Sequence, residues 1–278
     1  MRRTGLVLAL LRAATATGGE IYRWVDDGGG VHFGDRPPAG AERVEVAAGD
    51  SGTILHSVDW IPDGDTIHLT DGAKVRLIGI NTPEVAHRDD PAEPGGPAAR
   101  DFLRDVLADK RVRLEIGEEA EDKYGRTLAH VFTADGVNVN RRLLRAGHAH
   151  AVVKPPNLSR LEAYFAAERA AREAGRGIWG HPRYGVHPAS RAEGLRNSFR
   201  RIRGRVTGID EGRKYLYLDF AADFRAYLLR AERKAFAAAG KAPADLVGGS
   251  TVVRGWIHLH DGTPRIRLRH PVQIETAR

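Results

Sequence analysis

Short runs of β-branched and aromatic residues, separated by Asp-Gly pairs and broken only by short helical segments, recur along most of this chain. Thr53–Trp60 and Thr66–Thr70 read as strands, and Asp71-Gly72 turns the chain into a third, Lys74–Ile80. Arg111–Ile116 and Thr127–Thr133 continue the pattern up to the Asp135-Gly136 turn. Pro97 opens a helix with Ala98, Phe102, Leu103, Val106 and Leu107 spaced to share a face. A short helix follows around Val139–Ala146, and a last one starts at Ser159, whose Glu162 partner makes a capping box, and stops at Gly175. Five short strands with three helices suit a small closed barrel of the OB type, decorated by helices.

The pattern restarts further on. Arg200–Ile209, Tyr215–Phe220, Phe224–Leu229, a helix near Ala231–Ala239, then Thr251–His260 and Pro264–Gln273 joined by Asp261-Gly262 predict a second five-stranded barrel. The fold class expected is therefore mainly β with helices (α+β), with two OB-like barrels in one chain. The expected boundaries are 52–182 for the first and 195–278 for the second, across a Pro-, Gly- and Ala-rich linker, Pro182–Gly194. Ahead of them, Ile21–Val25 and Val31–Phe33 flank Asp26-Asp27-Gly28-Gly29-Gly30 as a β-hairpin. Residues 18–50 thus make a small hairpin domain ending in a linker, Ala39–Asp50. Residues 1–17 carry Arg2 and Arg3, the apolar Gly5–Leu11 and Ala14-Thr15-Ala16, the pattern of an export signal interrupted by Arg12. The reading is a periplasmic or secreted protein, the alternative an ordinary frayed N-terminus.

The chain has no cysteine, which excludes disulfides, thiolate nucleophiles and Cys-ligated metals. No apolar run reaches the ~18 residues that cross a bilayer, so no membrane span is expected. Net charge is +7, but residues 191–278 hold 18 Lys/Arg against 9 Asp/Glu, leaving the rest near neutral. A basic third suggests a polyanion partner, because neutralising phosphates releases counterions; a solubilising surface explains the same excess equally well.

Chemistry concentrates in a few segments. Asp63-Gly64-Asp65-Thr66 is by composition a turn. Arg76, however, lies in the otherwise apolar strand Val75–Ile80, where a guanidinium needs a carboxylate or phosphate to meet it. That strand runs into Asn81-Thr82-Pro83-Glu84, which sets oxygen ligands and a carboxylate at a strand end. Asp122-Lys123-Tyr124-Gly125-Arg126 is a tight turn presenting a second arginine.

Taken in order, DGDT, RLIGINTPE, DKYGR and the later Gly177-Ile178-Trp179 resemble the staphylococcal nuclease (thermonuclease) family over about 130 residues. The hairpin resembles a family of unknown function found near the N-termini of exported bacterial proteins. The first resemblance implies a Ca²⁺-dependent phosphodiesterase acting on DNA or RNA, preferring single strands, monomeric, and without a small organic cofactor. It places Asp65, Asn81 and the Thr82 carbonyl as metal ligands. Glu84 becomes the general base, Arg76 and Arg126 the phosphate-binding arginines, and Lys123 and Tyr124 residues beside the nucleotide. Such a set makes chemical sense: a hard cation takes oxygen ligands, guanidiniums neutralise phosphoryl charge, and a carboxylate activates water.

Three departures from the family pattern stand out. Asn81 occupies a position more usually Asp, which predicts weaker Ca²⁺ binding. Ala151-Val152-Val153 precedes Lys154-Pro155 where an aromatic pair is usual, and Val85–Gly96 lacks the usual lysines. The competing reading is therefore a weak or inactive enzyme that binds nucleic acid or another anionic polymer. His148 and His150 could bind a metal but have no third partner, and packing is the commoner role. Arg200, Arg201, Arg203 and Arg205 read either as a solvated strand face or as a nucleic-acid platform with Tyr215, Tyr217 and Trp256.

Overall fold

The computed structural model describes residues 21–25, 31–34, 42–44, 54–87 and 90–276. By itself the N-terminal unit is a small sheet in which β1 (Ile21–Val25) pairs antiparallel with both β2 (Val31–Gly34) and β3 (Glu42–Val44). The hairpin is as expected. The linker expectation over Ala39–Asp50 is not, because three of its residues pair with the open edge of β1. The export segment 1–17, the Asp26–Gly30 turn and Arg36-Pro37-Pro38 lie outside the described residues.

Ile54–Arg278 forms a second compact unit. Its first half is a closed barrel of β4 (Leu55–Asp63), β5 (Thr66–Leu69), β6 (Lys74–Leu77), β9 (Thr127–Thr133) and β8 (Arg111–Glu121), in that order around the ring. β6 and β9 run parallel and β4 closes on β8 antiparallel. Val58, Ile67, Leu69, Val75, Leu77, Val112, Ala129 and Val131 fill the interior, alternating with outward residues as the period of a strand requires. Helices α1 (Gly96–Val106), α2 (Val139–Ala146) and α3 (Leu161–Glu173) pack against it through Leu103, Leu143, Leu144 and Tyr164.

Two local expectations are corrected. Lys74–Ile80 is not one strand: Gly79, at φ +75°, breaks it, and β7 (Ile80–Asn81) turns away to pair with β10 (His150–Ala151). Glycine is needed there twice over, since a Cβ would also meet the Tyr164 ring at 2.8 Å. Ser159 does not cap α3; its hydroxyl is 2.8 Å from His130 Nε2, and the helix starts from Arg160 with no side-chain cap.

The second half repeats the ring. β12 (Phe199–Glu211), β13 (Tyr215–Phe220), β14 (Phe224–Leu229), β16 (Thr263–Arg267) and β15 (Ser250–His260) are successive neighbours, and β15 pairs back onto β12. β14 and β16 are the parallel pair. Numbered within each ring, both barrels run 1-2-3-5-4, the two-barrel OB architecture expected, although the two segments share no sequence repeat. Short helices α4 (Arg233–Ala238) and α5 (Pro243–Leu246) lie between β14 and β15, and α4 sinks Phe236 into the core. β11 (Val186–Pro188) and β17 (Ile274–Thr276) extend the sheet at its edges.

The barrels are joined by buried charge. Arg254, on β15, is only 1% exposed and meets Glu168 of α3 through two contacts of 2.5 and 2.6 Å. Its second nitrogen also donates to the Ala151 carbonyl at 3.0 Å. Glu275 completes the network by accepting from Arg201, Arg172 and Arg254, which outweigh the effect of burial and hold its carboxyl down at about 2. The connector is anchored as well: Arg183 pairs with Glu93, and Tyr184 donates its hydroxyl to the Pro94 carbonyl at 2.6 Å. Among the described residues no helix is long and apolar enough to cross a membrane.

Candidate active site

The motif segments meet at one end of the first barrel. Asp63 ends β4, and the chain reverses through Gly64 so tightly that a Cβ there would meet Ala99 at 2.8 Å and Thr82 at 2.9 Å. This packing sets Asp65 against the strand-end segment: its carboxylate accepts from the Thr82 amide at 3.0 Å and from Arg76 Nη2 at 2.8 Å. Arg76 reaches it because Thr66 and Arg76 are register partners on β5 and β6. The guanidinium also donates to the carbonyls of Leu77 and Ile80, at 2.6 and 3.1 Å, and to Asn81 Oδ1 at 3.3 Å. Its terminal nitrogens are therefore spent on the fold, the longest contact being the one to Asn81.

Glu84 is held through its backbone. Its carbonyl lies so close to the start of α1 that a Cβ on Gly96 would be 2.2 Å from it, and it accepts from the Glu93 amide at 2.9 Å. The Glu84 side chain is exposed, and its carboxyl neighbours that of Asp63. Burial of the carboxyl, then the charges of Asp63 and Asp65, push Glu84 up to about 7 against the pull of Arg76. Asp63 is raised by the same two effects, burial first and then Asp65. Asp63 is the functional candidate that sequence reading passed over, because an aspartate before glycine is explained by the turn alone. Only its partner across the site reveals more.

Arg126 stands on the Asp122–Gly125 turn and is fastened to Asp122 through Nε at 2.9 Å and Nη2 at 2.7 Å. Burial works against the Asp122 carboxylate, but hydrogen bonds from Arg126 and from the Tyr124 and Arg126 amides hold it below its ordinary value. Tyr124 is 70% exposed, with the Lys123 ammonium 4.8 Å and the Arg126 guanidinium 5.6 Å from its ring. Arg76, Asn81, Asp122 and Arg126 line a cleft of about 580 Å³. Asp65, which Arg76 contacts, and Asp63 and Glu84 beside it do not line the cleft. The cleft's other wall comes from the second barrel, through Tyr227, Trp256, His258, Arg267 and Arg269.

The structure separates His148 from His150. His148 packs its ring on Phe102, and His150 is buried among Trp179, Tyr184 and Phe199, where burial and then nearby arginines keep its ring well below the usual value. The arginine run is dispersed too. Arg200 is buried, Arg201 is held by Glu275, and only Arg203 and Arg205 are exposed. β12 pairs with β13 only from Val206 onward, so the run does not border Tyr215 and Tyr217.

Whether a divalent cation fits can be judged from charge. Among the described residues no three Asp, Glu, His or Cys side chains make a ready cage. Asp63, Asp65 and Glu84 nevertheless repel one another against a single compensating arginine. With the Asn81 and Thr82 oxygens beside them they are an all-oxygen set carrying more negative charge than Arg76 compensates, which suits a hard divalent ion.

Residues 74–181 match the family model described as staphylococcal nuclease homologue, and residues 8–55 match that of a domain of unknown function, DUF4124. Thermonuclease of Staphylococcus intermedius is 42% identical over 125 residues, 44% of this chain and 74% of that protein. Thermonuclease of Staphylococcus hyicus is 35% identical over 127 residues, 45% of this chain and 75% of its own. Endonuclease YhcR of Bacillus subtilis is 36% identical over 134 residues, which cover 44% of this chain but 11% of that much longer protein.

Proposed function

The chain belongs to the staphylococcal nuclease family, and from that premise we propose that it hydrolyses phosphodiester bonds of DNA or RNA with calcium bound at Asp65, Asn81 and the Thr82 carbonyl. The observation that carries this reading is the carboxylate cluster of Asp63, Asp65 and Glu84, braced by Arg76 at the edge of an arginine-lined cleft. Calcium held there would supply positive charge to the phosphoryl oxygen. Glu84 takes a proton from the attacking water, a role suited to a carboxyl that titrates near neutrality. If Asn81 turns its oxygen toward the cation, it releases the longest of the Arg76 contacts and frees that N–H for a phosphate oxygen. Arg126 keeps donors to spare beyond its Asp122 contacts, and Lys123 and Tyr124 flank it on the open side.

Purified protein incubated with labelled single-stranded DNA should cut it with calcium and leave it intact with chelator, and Glu84→Gln should not cut. An intact substrate under all three conditions would favour a protein that binds without cutting. Residues 1–17 as an export signal place the enzyme in the periplasm or outside the cell. Mass spectrometry of the mature N-terminus checks this, since a chain still beginning at Met1 would count against it.

A further inference from the structure

We propose that the outer face of β13, β14 and β16 is a stacking platform for single-stranded nucleic acid, continuous with the cleft that Arg76 and Arg126 line, which takes the nucleotides flanking the cleaved bond. The proposal rests on the nuclease reading for the identity of the strand, but it stands on different residues. Register places Tyr217 beside Tyr227, and Tyr227 beside Arg267, across three neighbouring strands. Tyr215 and Tyr217 lie within 5.3 and 5.7 Å of the Tyr227 ring, and Arg267 and Arg265 lie over Tyr215 and Tyr217 at 5.9 and 5.5 Å. Aromatic rings interleaved with guanidiniums on one sheet face are what bases and phosphates need together.

An ordinary solvated sheet face is a weaker account of this arrangement. Arg225, on the same face, is neutralised by Asp219 and Asp210. Arg265, Arg267 and Arg269, in contrast, have no ion-pair partner among the described residues, and the Nε atoms of Arg265 and Arg267 are buried without an acceptor. A cationic cluster left uncompensated by the fold is arranged to be compensated from outside. Its position is equally specific. Tyr227, Arg267 and Arg269 line the cleft that also contains Arg76 and Arg126. On the first barrel's side, Ala151, Val152 and Val153 line the same cleft, and the one aromatic ring is that of Phe165, which Arg254 covers. Trp256, 46% exposed and packed edge-on against Phe199, supplies a further ring at that wall. Most of the aromatic surface of the cleft is thus provided by the second barrel.

Three proteins test this: the parent, Tyr217→Ala, and Arg267→Gln combined with Arg269→Gln, which removes both charges and keeps polar side chains. Affinity is read by fluorescence anisotropy in chelator with a thymidine strand of about 20 nucleotides, longer than the roughly 4–16 covered by one such barrel. Tyr217→Ala should weaken binding about 5- to 150-fold, the range for one lost base stack. The double arginine variant should bind more weakly and with a salt slope shallower by about 1.4, as two phosphate contacts on a single strand require. In calcium, the ratio of kcat/KM for the long strand to that for a dinucleotide should fall in both variants. A strand of abasic residues should bind the parent more weakly than the thymidine strand. Unchanged affinity and salt slope in both variants would overturn the platform, and equal binding of the abasic strand would overturn stacking. If the parent cleaves neither substrate, the nuclease reading fails, while the anisotropy result still decides the platform.

Discussion

Removing the charge of Glu168 is the perturbation with the largest consequence. Arg254 lies fully buried between Phe165 and Phe199, 4.8 and 5.4 Å from their centroids, and its charge is tolerated there because Glu168 meets it with both oxygens. Breaking a buried pair from one side leaves an uncompensated ion and typically costs about 3–5 kcal/mol. Glu275 still touches Arg254 at 3.4 Å and the Ala151 carbonyl still accepts from it, so Glu168→Gln should fall near the lower end, about 3 kcal/mol. For a unit of this size each kcal/mol moves the melting midpoint by roughly 2–4 °C, so calorimetry should show a drop of about 6–12 °C. The companion variant Glu168→Leu with Arg254→Met removes both charges and keeps the volume. It should return to within about 1.5 kcal/mol of the parent, because neither charge is then left alone. A Glu168→Gln midpoint within about 2 °C of the parent, or a double variant no better than the single one, would refute the claim that this pair joins the barrels.

Glu84→Gln should lower kcat by about 10²- to 10⁴-fold, with little change in melting temperature since the side chain is solvent-accessible; rapid-quench assays and calorimetry check the two halves. Asn81→Asp adds a charged oxygen ligand, so calcium titration by calorimetry should show tighter binding than in the parent, and identical isotherms would remove position 81 from the ligand set. Glu275, with a folded-state value of about 2 below its ordinary 4.5, should contribute stability that is complete above about pH 4.5 and lost as pH falls toward 2. Urea midpoints from pH 7 down to 3 should therefore fall more steeply for the parent than for Glu275→Gln.

Much of this architecture is legible in the residues. Thr127–Thr133, Val139–Ala146, Tyr215–Phe220 and Phe224–Leu229 form with the bounds their patterns predict, because turn residues and alternating apolar positions delimit each one. What escaped depends on tertiary partners. The apolar run Lys74–Ile80 hides the bend at Gly79, which Tyr164 imposes from a helix far along the chain. Ser159 has the look of a cap until His130 competes for its hydroxyl. Arg254 within Thr251–His260 is, like Arg76, an arginine inside a largely apolar strand. Its partner, unlike that of Arg76, sits in the other barrel and belongs to no motif. The platform arginines are spread over β16 and the residues after it, whereas the eye is drawn to the denser run at 200–205.

The connector between the barrels governs how this protein can be divided. Glu93 hydrogen-bonds the Glu84 backbone from both sides, receiving from its amide at 3.3 Å and donating to its carbonyl, and Arg183 in turn fastens Glu93. Tyr184 fixes the next residue, Pro94. A chain shortened at His181 to give a minimal catalyst would discard both anchors along with the second barrel. The loop that holds the Glu84 backbone would then be free at its far end, and Glu168 would face solvent without Arg254. An isolated first barrel would therefore be a different reagent from the same residues within the full chain, and differences between the two could not be assigned to substrate reach alone.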